Sequence, residues 1–141
     1  MALDNIIGIA GTALNAQMVR LNTTASNVAN ASTVSTTEEG AYRAKRPVFR
    51  ALVEEQMTHA GARHVGGVKV DQLVDDSAPV RRVYEPSNPL ANPDGFVFHS
   101  NVNEVSEMVE MMSASRSYQN NVEVSNTARQ LLMRTIDLMR S

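Results

Sequence analysis

The three histidines are the residues best suited to bind a metal ion, and their arrangement argues against such a site. His59 and His64 lie in a glycine-containing stretch, EQMTHAGARHVGG, and His99 is far along the chain. Zinc sites use ligands at defined spacings, as in HExxH, and no such spacing occurs here. The pattern favours a surface loop, and the sequence predicts no metal and no other cofactor.

Adjacent carboxylates and glycines are the next candidates for chemistry. Asp75 and Asp76 would need a shared concave pocket to act as acid and base, and their surroundings favour a solvated turn. Gly66 and Gly67 lack the Lys and Ser or Thr of a phosphate-binding loop, and there is no GxSxG motif. The chain has no Cys, which excludes a thiol nucleophile. We therefore predict that the protein is not an enzyme and has no small-molecule substrate.

A short basic cluster, Arg43, Lys45 and Arg46, lies beside Tyr42 and could suggest nucleic-acid binding. Acidic residues flank this cluster on both sides, however, and the formal net charge of the chain is −2. Such a balance gives no field that attracts phosphate. A solvated or salt-bridged strand is the simpler interpretation, and we predict no nucleic-acid partner.

The sequence also bears on membranes and export. No stretch approaches the ~20 apolar residues that cross a bilayer, so we predict no membrane insertion. The first residues, MALDNIIGIAGTALNAQ, carry an acidic residue where a secretory signal has Lys or Arg. A role outside the cytoplasm would therefore require export without a cleaved signal peptide.

The N-terminal segment has the periodicity of a packed helix. Between Asn5 and Thr37 its only charged residue is Arg20, whereas an exposed helix face is rich in charge. We predict a helix that is covered on both faces. The alternative, a buried helix of an ordinary globule, needs a thick core that a chain with 4% aromatic residues can hardly supply. Two sets of residues recur every seven positions, namely Ile7, Leu14, Leu21 and Val28, and Gly11, Met18 and Ala25.

The C-terminal segment contains neither Gly nor Pro from Val102 to Arg140 and predicts a helix of about 58 Å at ~1.5 Å per residue. Asn101 and Glu104 resemble a capping pair at its start. A polar seam fixes register and partner number, which suits an assembly better than a monomer. One face of this helix is apolar at its ends and polar between them, with Val105, Met108, Met112, Val122, Met133 and Ile136 separated by Ser115, Gln119, Asn126 and Arg129.

Between the two helices, turn-rich stretches enclose short β-prone runs. Val68 to Val74 alternates apolar and polar residues, Val80 to Tyr84 and Phe96 to Phe98 are further runs, and Pro47 favours an edge strand. We predict a mainly α fold with a small β insert, in which two long terminal helices pair as a coiled-coil-like hairpin. The segments are 1–36, 37–100 with a mobile loop near 56–67, and 101–141.

Several stretches resemble the axial proteins of the bacterial flagellum, in particular those of the basal-body rod. They are IAGTALNAQMVRLNTTASNVANAST at the start, YRAKRPVF, GGVKV and VYEPSNPLANPDGFV in the middle, and NVNEVSEMVEMMSASRSYQNNVEVSNTARQLL at the end. Rod and hook proteins share the ASNVANAST type of motif, whereas SASRSYQNNVEV and VYEPSNPLAN are more specific to one rod protein. The resemblance spans nearly the whole chain and departs at TVSTTEEG and HAGARH, two loops that vary in the family.

This resemblance implies a structural subunit of the proximal rod, the periplasmic driveshaft that transmits motor torque in the basal body. Its partners would be copies of itself, other rod proteins, the base of the rod and the type III export apparatus, which exports such subunits unfolded and without signal cleavage. The residues expected at subunit interfaces are Ile7, Leu14, Met18, Leu21, Asn27, Val28, Asn30, Met108, Met112, Tyr118, Gln119, Val122, Asn126, Leu132 and Ile136.

The stretch LNTTASNVANAST, residues 21–33, carries amides and hydroxyls where a surface helix has charges. We expect Asn22, Asn27 and Asn30 to find partners only in the rod. In the free subunit their unpaired amides would keep the chain ends partly disordered, and neighbouring subunits would complete their hydrogen bonds.

Two other classes of protein stay open on the sequence alone. A soluble helical adaptor or an export-chaperone-like binding module would share the helical seams but would form a small defined oligomer. A small metallohydrolase would contain bound metal, which elemental analysis would detect.

Overall fold

The computed structural model describes residues 2–53, 55–57 and 63–140. It has one helix at each end and short antiparallel strands between them, which confirms the prediction of a mainly helical chain with a small β insert. The elements are α1 (Ala2–Ala29), β1 (Val34–Ser35), β2 (Lys45–Ala51), β3 (Glu55–Met57), β4 (Arg63–Val65), β5 (Val68–Asp75), β6 (Arg81–Tyr84), β7 (Phe96–His99) and α2 (Glu104–Arg140).

The strands form three small sheets. The largest has the order β1-β7-β6, β2 pairs with β5, and β3 pairs with β4. The β3–β4 hairpin falls within the segment predicted as a mobile loop near 56–67, and the residues between its strands lie outside the described ones. Pro47 lies in β2, whose sheet has only two strands, as expected for a residue that cannot donate to a ladder on both sides.

Aromatic side chains pack against each other on the β6–β7 strand pair. The rings of Tyr84 and Phe96 meet edge to face with centroids 5.2 Å apart, and the Arg82 guanidinium lies 3.7 Å from the Phe96 ring centroid. Gly95, just before β7, has a φ of +81°, and a Cβ there would lie 2.7 Å from the Tyr84 ring. A glycine is therefore needed both for the backbone conformation and for the space.

The chain divides into two compact units, each built from separate stretches of sequence. One comprises Met1–Val19, Val48–Gln72 and Ser113–Ser141, and the other comprises Arg20–Pro47 and Leu73–Met112. In the second unit Ala31, Ala44 and Val102 form a small core with Tyr42 packed against it. In the first, the buried apolar residues of the helices are all alanines, namely Ala10, Ala16, Ala114 and Ala128.

The start of α2 differs from the predicted cap. The helix begins at Glu104, and the side-chain oxygen of Asn103 accepts a hydrogen bond from the Ser106 N–H at 3.0 Å. Asn103 is therefore the N-cap, and the prediction of a capping pair formed by Asn101 and Glu104 is wrong. Asn101 instead accepts from the Ala44 N–H at 2.7 Å and donates to the Ala78 carbonyl at 2.8 Å.

This cap gives a direct test. Replacing Asn103 with Ala removes the side-chain acceptor and should lower the free energy of unfolding by about 1 kcal/mol, as for other N-caps. Asn103→Asp keeps an acceptor oxygen at the same place and should change stability much less. Urea denaturation followed by circular dichroism would measure both. Equal losses in the two variants would show that Asn103 does not cap α2.

Candidate assembly interface

Asn27, near the end of α1, is fully buried and uses its whole side chain in hydrogen bonds. Its Nδ2 donates to the Lys45 carbonyl at 2.9 Å and to Glu107 Oε2 at 3.0 Å. Its Oδ1 accepts from the Lys45 N–H at 2.9 Å and from the Tyr42 hydroxyl at 3.0 Å. This one amide therefore joins the end of α1 to the start of β2 and to α2.

Glu107, in the first turn of α2, is the largest fully buried side chain in the described part of the molecule. A buried carboxylate must be paired and hydrogen-bonded to avoid a large desolvation cost. Arg46 Nη1 lies 2.6 Å from Glu107 Oε1 in an ion pair that lacks the angle of a good hydrogen bond, and Arg46 Nε lies 3.6 Å from Asp76 Oδ2. We call Asn27, Arg46, Asp76 and Glu107 the buried anchor.

The buried anchor corrects the expectation for the asparagines. Asn27 was expected to lack partners until assembly, and it is satisfied within the subunit. Asn30 also has a partner, because its Nδ2 donates to the Ser26 carbonyl at 2.8 Å. The expectation failed because residues distant in sequence, on β2 and α2, meet the end of α1. Sequence periodicity does not report such contacts.

The basic cluster is salt-bridged, as predicted. Lys45 Nζ lies 2.8 Å from Asp75, and Arg43 Nη2 lies 3.9 Å from Glu38. The hydrogen bond to Asp75 raises the pKa of Lys45, so its ammonium stays charged throughout the physiological range. Asp75 and Asp76 are each engaged by a different cation, Lys45 and Arg46, and do not form an acid–base pair.

The histidines do not come together as a metal site among the residues described. His99 Nε2 lies 3.4 Å from Glu85 Oε1. A hydrogen bond from Asn88 lowers the pKa of Glu85, and His99 adds to that shift. His59 lies outside the described residues, and of His64 only the backbone in β4 is described. Within that part of the chain there is no group of three or more acidic or histidine side chains placed to bind a metal.

The fully buried seam positions of α2 are small or polar, namely Glu107, Ala114 and Ala128, and larger residues at the seam are half-buried. Positions spaced alternately by four and three are buried or half-buried along its length, which is the 3.5-residue period of a packed helix seam. They are Glu107, Met111, Ala114, Tyr118, Asn121, Ser125, Ala128 and Leu132. In α1 the buried residues are likewise small or polar, namely Ala10, Ala16, Thr23, Thr24 and Asn27.

Large apolar side chains lie on the opposite face of α2. At about 100° per residue, four of them fall within one sector roughly opposite Glu107. Val105, Met108, Val109 and Met112 are exposed by 72%, 51%, 55% and 56%. We call these four residues the leading stripe. Contiguous apolar surface of this kind marks an interaction site in soluble proteins.

A second apolar surface lies in the other compact unit. Val124, Leu131 and Leu138 recur every seven residues on α2, and all three are exposed. Val124 and Leu131 line an open groove of about 500 Å³ together with Ile6 of α1. We call Val124, Leu131 and Leu138 the trailing row. Its spacing keeps it on one side of the helix, so it could receive another helix.

The predicted interface residues divide by exposure. Asn27 alone is fully buried. Eight are half-buried, namely Ile7, Leu14, Leu21, Val28, Asn30, Tyr118, Val122 and Leu132. Six are exposed, namely Met18, Met108, Met112, Gln119, Asn126 and Ile136.

Several residues that matter here were missed by the sequence analysis. Glu107, Val109 and the trailing row were not singled out, and Arg46 was noted only as part of the basic cluster. A signal for the trailing row was present in its seven-residue spacing. No local signal marks Glu107, because its burial depends on Asn27 and Arg46, which are far away in sequence.

In the described part of the chain, neither helix offers an apolar stretch that could span a bilayer.

The chain matches two family models, described as flagella basal body rod protein over residues 7–34 and flagellar basal body rod FlgEFG protein C-terminal over residues 94–138. These matches cover most of α1 and nearly all of α2.

Full-length relatives carry the same description. The chain is 49% identical over 138 residues to the flagellar basal-body rod protein FlgC of Salmonella typhimurium, with 98% of each chain covered. It is 50% identical over 138 residues to FlgC of Escherichia coli O6:H1, again with 98% of each covered. It is 42% identical over 141 residues to FlgC of Buchnera aphidicola subsp. Schizaphis graminum, with the same coverage.

The buried anchor predicts a large effect of one amide. Asn27→Ala deletes four hydrogen bonds and leaves buried groups of Lys45 and Glu107 short of a partner. The free energy of unfolding should fall by about 3 kcal/mol, since each unsatisfied buried group costs about 1–3 kcal/mol. Urea denaturation would measure the loss.

Asn30→Ala is the matched control for this prediction. It removes one hydrogen bond to the neighbouring turn of the same helix, and its effect should stay below about 1 kcal/mol. If the two alanine variants are equally stable, Asn27 is not the centre of a buried network.

Proposed function

Because the chain belongs to the FlgC family of flagellar basal-body rod proteins and is a structural subunit rather than an enzyme, we propose that its terminal helices build the proximal rod. In this proposal the subunit joins copies of itself and other rod proteins, beginning near the base of the rod. The type III export apparatus delivers it to the rod in the periplasmic space without cleavage of a signal peptide. The adaptor alternative is not favoured, since the full-length relatives are rod proteins.

Contacts within one compact unit support a hairpin of the two helices. Arg20 pairs with Glu110, Asn27 with Glu107, and Ser32 with Glu104. Residue numbers rise along the first partner of each pair and fall along the second, so the chain directions oppose each other there. We propose that this antiparallel pairing continues as a coiled-coil-like hairpin along both helices, with the small and polar residues at its seam.

The observation that carries the proposal is the inverted distribution of side chains. The fully buried residues of α1 and α2 are Ala, Thr, Asn and Glu, while the large apolar side chains of the leading stripe and the trailing row are exposed. Fully burying one large apolar side chain stabilises by about 1.5–3 kcal/mol. Several half-exposed ones could therefore contribute about 4 kcal/mol per contact, part of which offsets the entropy lost on association.

This distribution also changes the explanation of why the chain ends would become fully ordered only in the rod. Since Asn27 is already satisfied, what the rod adds is burial of the outward apolar faces of the helices. In the free subunit the last turns of α2 expose Leu138 and Met139 by 77% and 76%. Packing many such helices side by side would exclude water and resist twisting, as torque transmission requires.

Charging the leading stripe should abolish rod assembly while leaving the subunit folded. We predict that a strain lacking this gene regains no motility when it expresses a variant with both Met108→Glu and Met112→Glu. Each Glu would be buried without a partner in the array. In the free subunit both positions are exposed, so stability should change by less than about 1 kcal/mol. Swimming in soft agar, with electron microscopy of basal bodies, would measure the outcome.

The double variant with Met108→Leu and Met112→Leu is the control, because it keeps apolar side chains of similar size. It should restore motility. Wild-type swimming by the glutamate variant would remove the leading stripe from the rod interface.

A further inference from the structure

At its start, α2 is rotated about its own axis so that its large apolar side chains face outward. Burial of apolar surface alone would favour the opposite rotation. Its outward sector carries Val105, Met108, Val109 and Met112, whereas its inward side carries a buried glutamate, Glu107. Turning the helix by about half a turn would exchange the two faces. The hydrophobic effect favours that exchange, since it is roughly proportional to the apolar area removed from water. Something else must hold the observed orientation.

Glu107 is the feature of this helix that opposes the exchange. Its carboxylate accepts from Asn27 Nδ2 at 3.0 Å and lies 2.6 Å from Arg46 Nη1. These partners sit on two other elements, α1 and β2, so the carboxylate is held from two sides. Rotating α2 would pull Glu107 away and leave the buried Asn27 amide without one of its acceptors.

We infer that Glu107 is an orienting residue that fixes the rotation of α2 and thereby keeps the leading stripe facing outward. The role of the leading stripe as an assembly face rests on the proposed function. The role of Glu107 in fixing the rotation of α2 does not rest on it. Glu107 is fully buried, whereas Arg46 is 42% exposed, so the ion pair is only partly buried. The best-attested role of a buried charged group is to specify register. The main effect of Glu107 is therefore to set the orientation of the leading stripe, and its effect on the stability of the fold is smaller.

The test separates orientation from stability. We would replace the ion pair by apolar side chains, using Glu107→Met with Arg46→Met, and place a reporter thiol with Met112→Cys. The chain has no other Cys, so maleimide labelling reports this site alone. In the purified free subunit this variant should still melt cooperatively, because apolar side chains replace both members of the ion pair.

Labelling of the same variant should slow by about tenfold or more, because the outward-facing state would become a minor one of about 10% or less. Unchanged labelling in a variant that melts cooperatively would overturn the inference. If this variant shows no cooperative melt, Asn27→Leu with Glu107→Met replaces the other contact of the same carboxylate. The same slowing is then expected, and unchanged labelling would again overturn the inference.

Two controls define the effect. Glu110→Met, one turn further along α2, removes a partly exposed carboxylate that pairs with Arg20, and labelling should match the reference because exposed pairs contribute little. Glu107→Gln keeps a polar acceptor for Asn27, and the thiol should stay reactive. A protected thiol in the Glu110→Met variant would show that Glu107 has no special role and would overturn the inference.

The same variants distinguish this inference from the proposed function. If labelling slows and the apolar-pair variant fails to restore motility, both stand. If labelling slows and motility is nevertheless restored, the orienting role stands, and the leading stripe is not needed for the rod.

Discussion

A single buried carboxylate constrains the rest of this subunit. Glu107 has no exposed surface, so its charge must be met from within the protein. Asn27 and Arg46 meet it, and these contacts bring the end of α1, the start of β2 and the first turn of α2 to one place. Asp76, which lies beside Arg46, connects the end of β5 to the same cluster. The small core of Ala31, Ala44 and Val102 belongs to the same compact unit.

The distribution of polar and apolar residues follows from that constraint and from the function. Large side chains would normally fill the space between two helices, but here the fully buried residues of both helices are Ala, Thr, Asn and Glu, and Met111, Tyr118 and Leu132 of the seam are only half-buried. Other large side chains of α2 are exposed, in the leading stripe and the trailing row. Under the proposed function, a neighbouring subunit would bury the apolar area that this subunit leaves exposed. A structural subunit of the flagellar basal-body rod contacts neighbouring subunits. In a monomeric protein the same exposed apolar surface would favour aggregation.

The sequence predicted the elements better than the contacts between them. Two long helices, a small β insert and the salt-bridged basic cluster could be predicted because periodicity, turn residues and charge balance are local. The N-cap was misplaced by two residues, since Asn101 and Asn103 are equally good caps in sequence and only the backbone distinguishes them. Asn27 was expected to be unpaired because Glu107, Arg46 and Lys45 are distant in sequence. Periodicity also finds the faces of α2 without saying which is inward, and the inward face here is the less apolar one.

The central claim is that the rod covers the apolar faces that the free subunit exposes. The most direct measurement is maleimide labelling of Met108→Cys, in a chain with no other Cys, in the purified free subunit and in isolated basal bodies. Met108 is 51% exposed in the subunit, so the free protein should react readily. We expect the same thiol to be protected in assembled rods from a motile strain. Equal labelling in the free subunit and in the rod would contradict it.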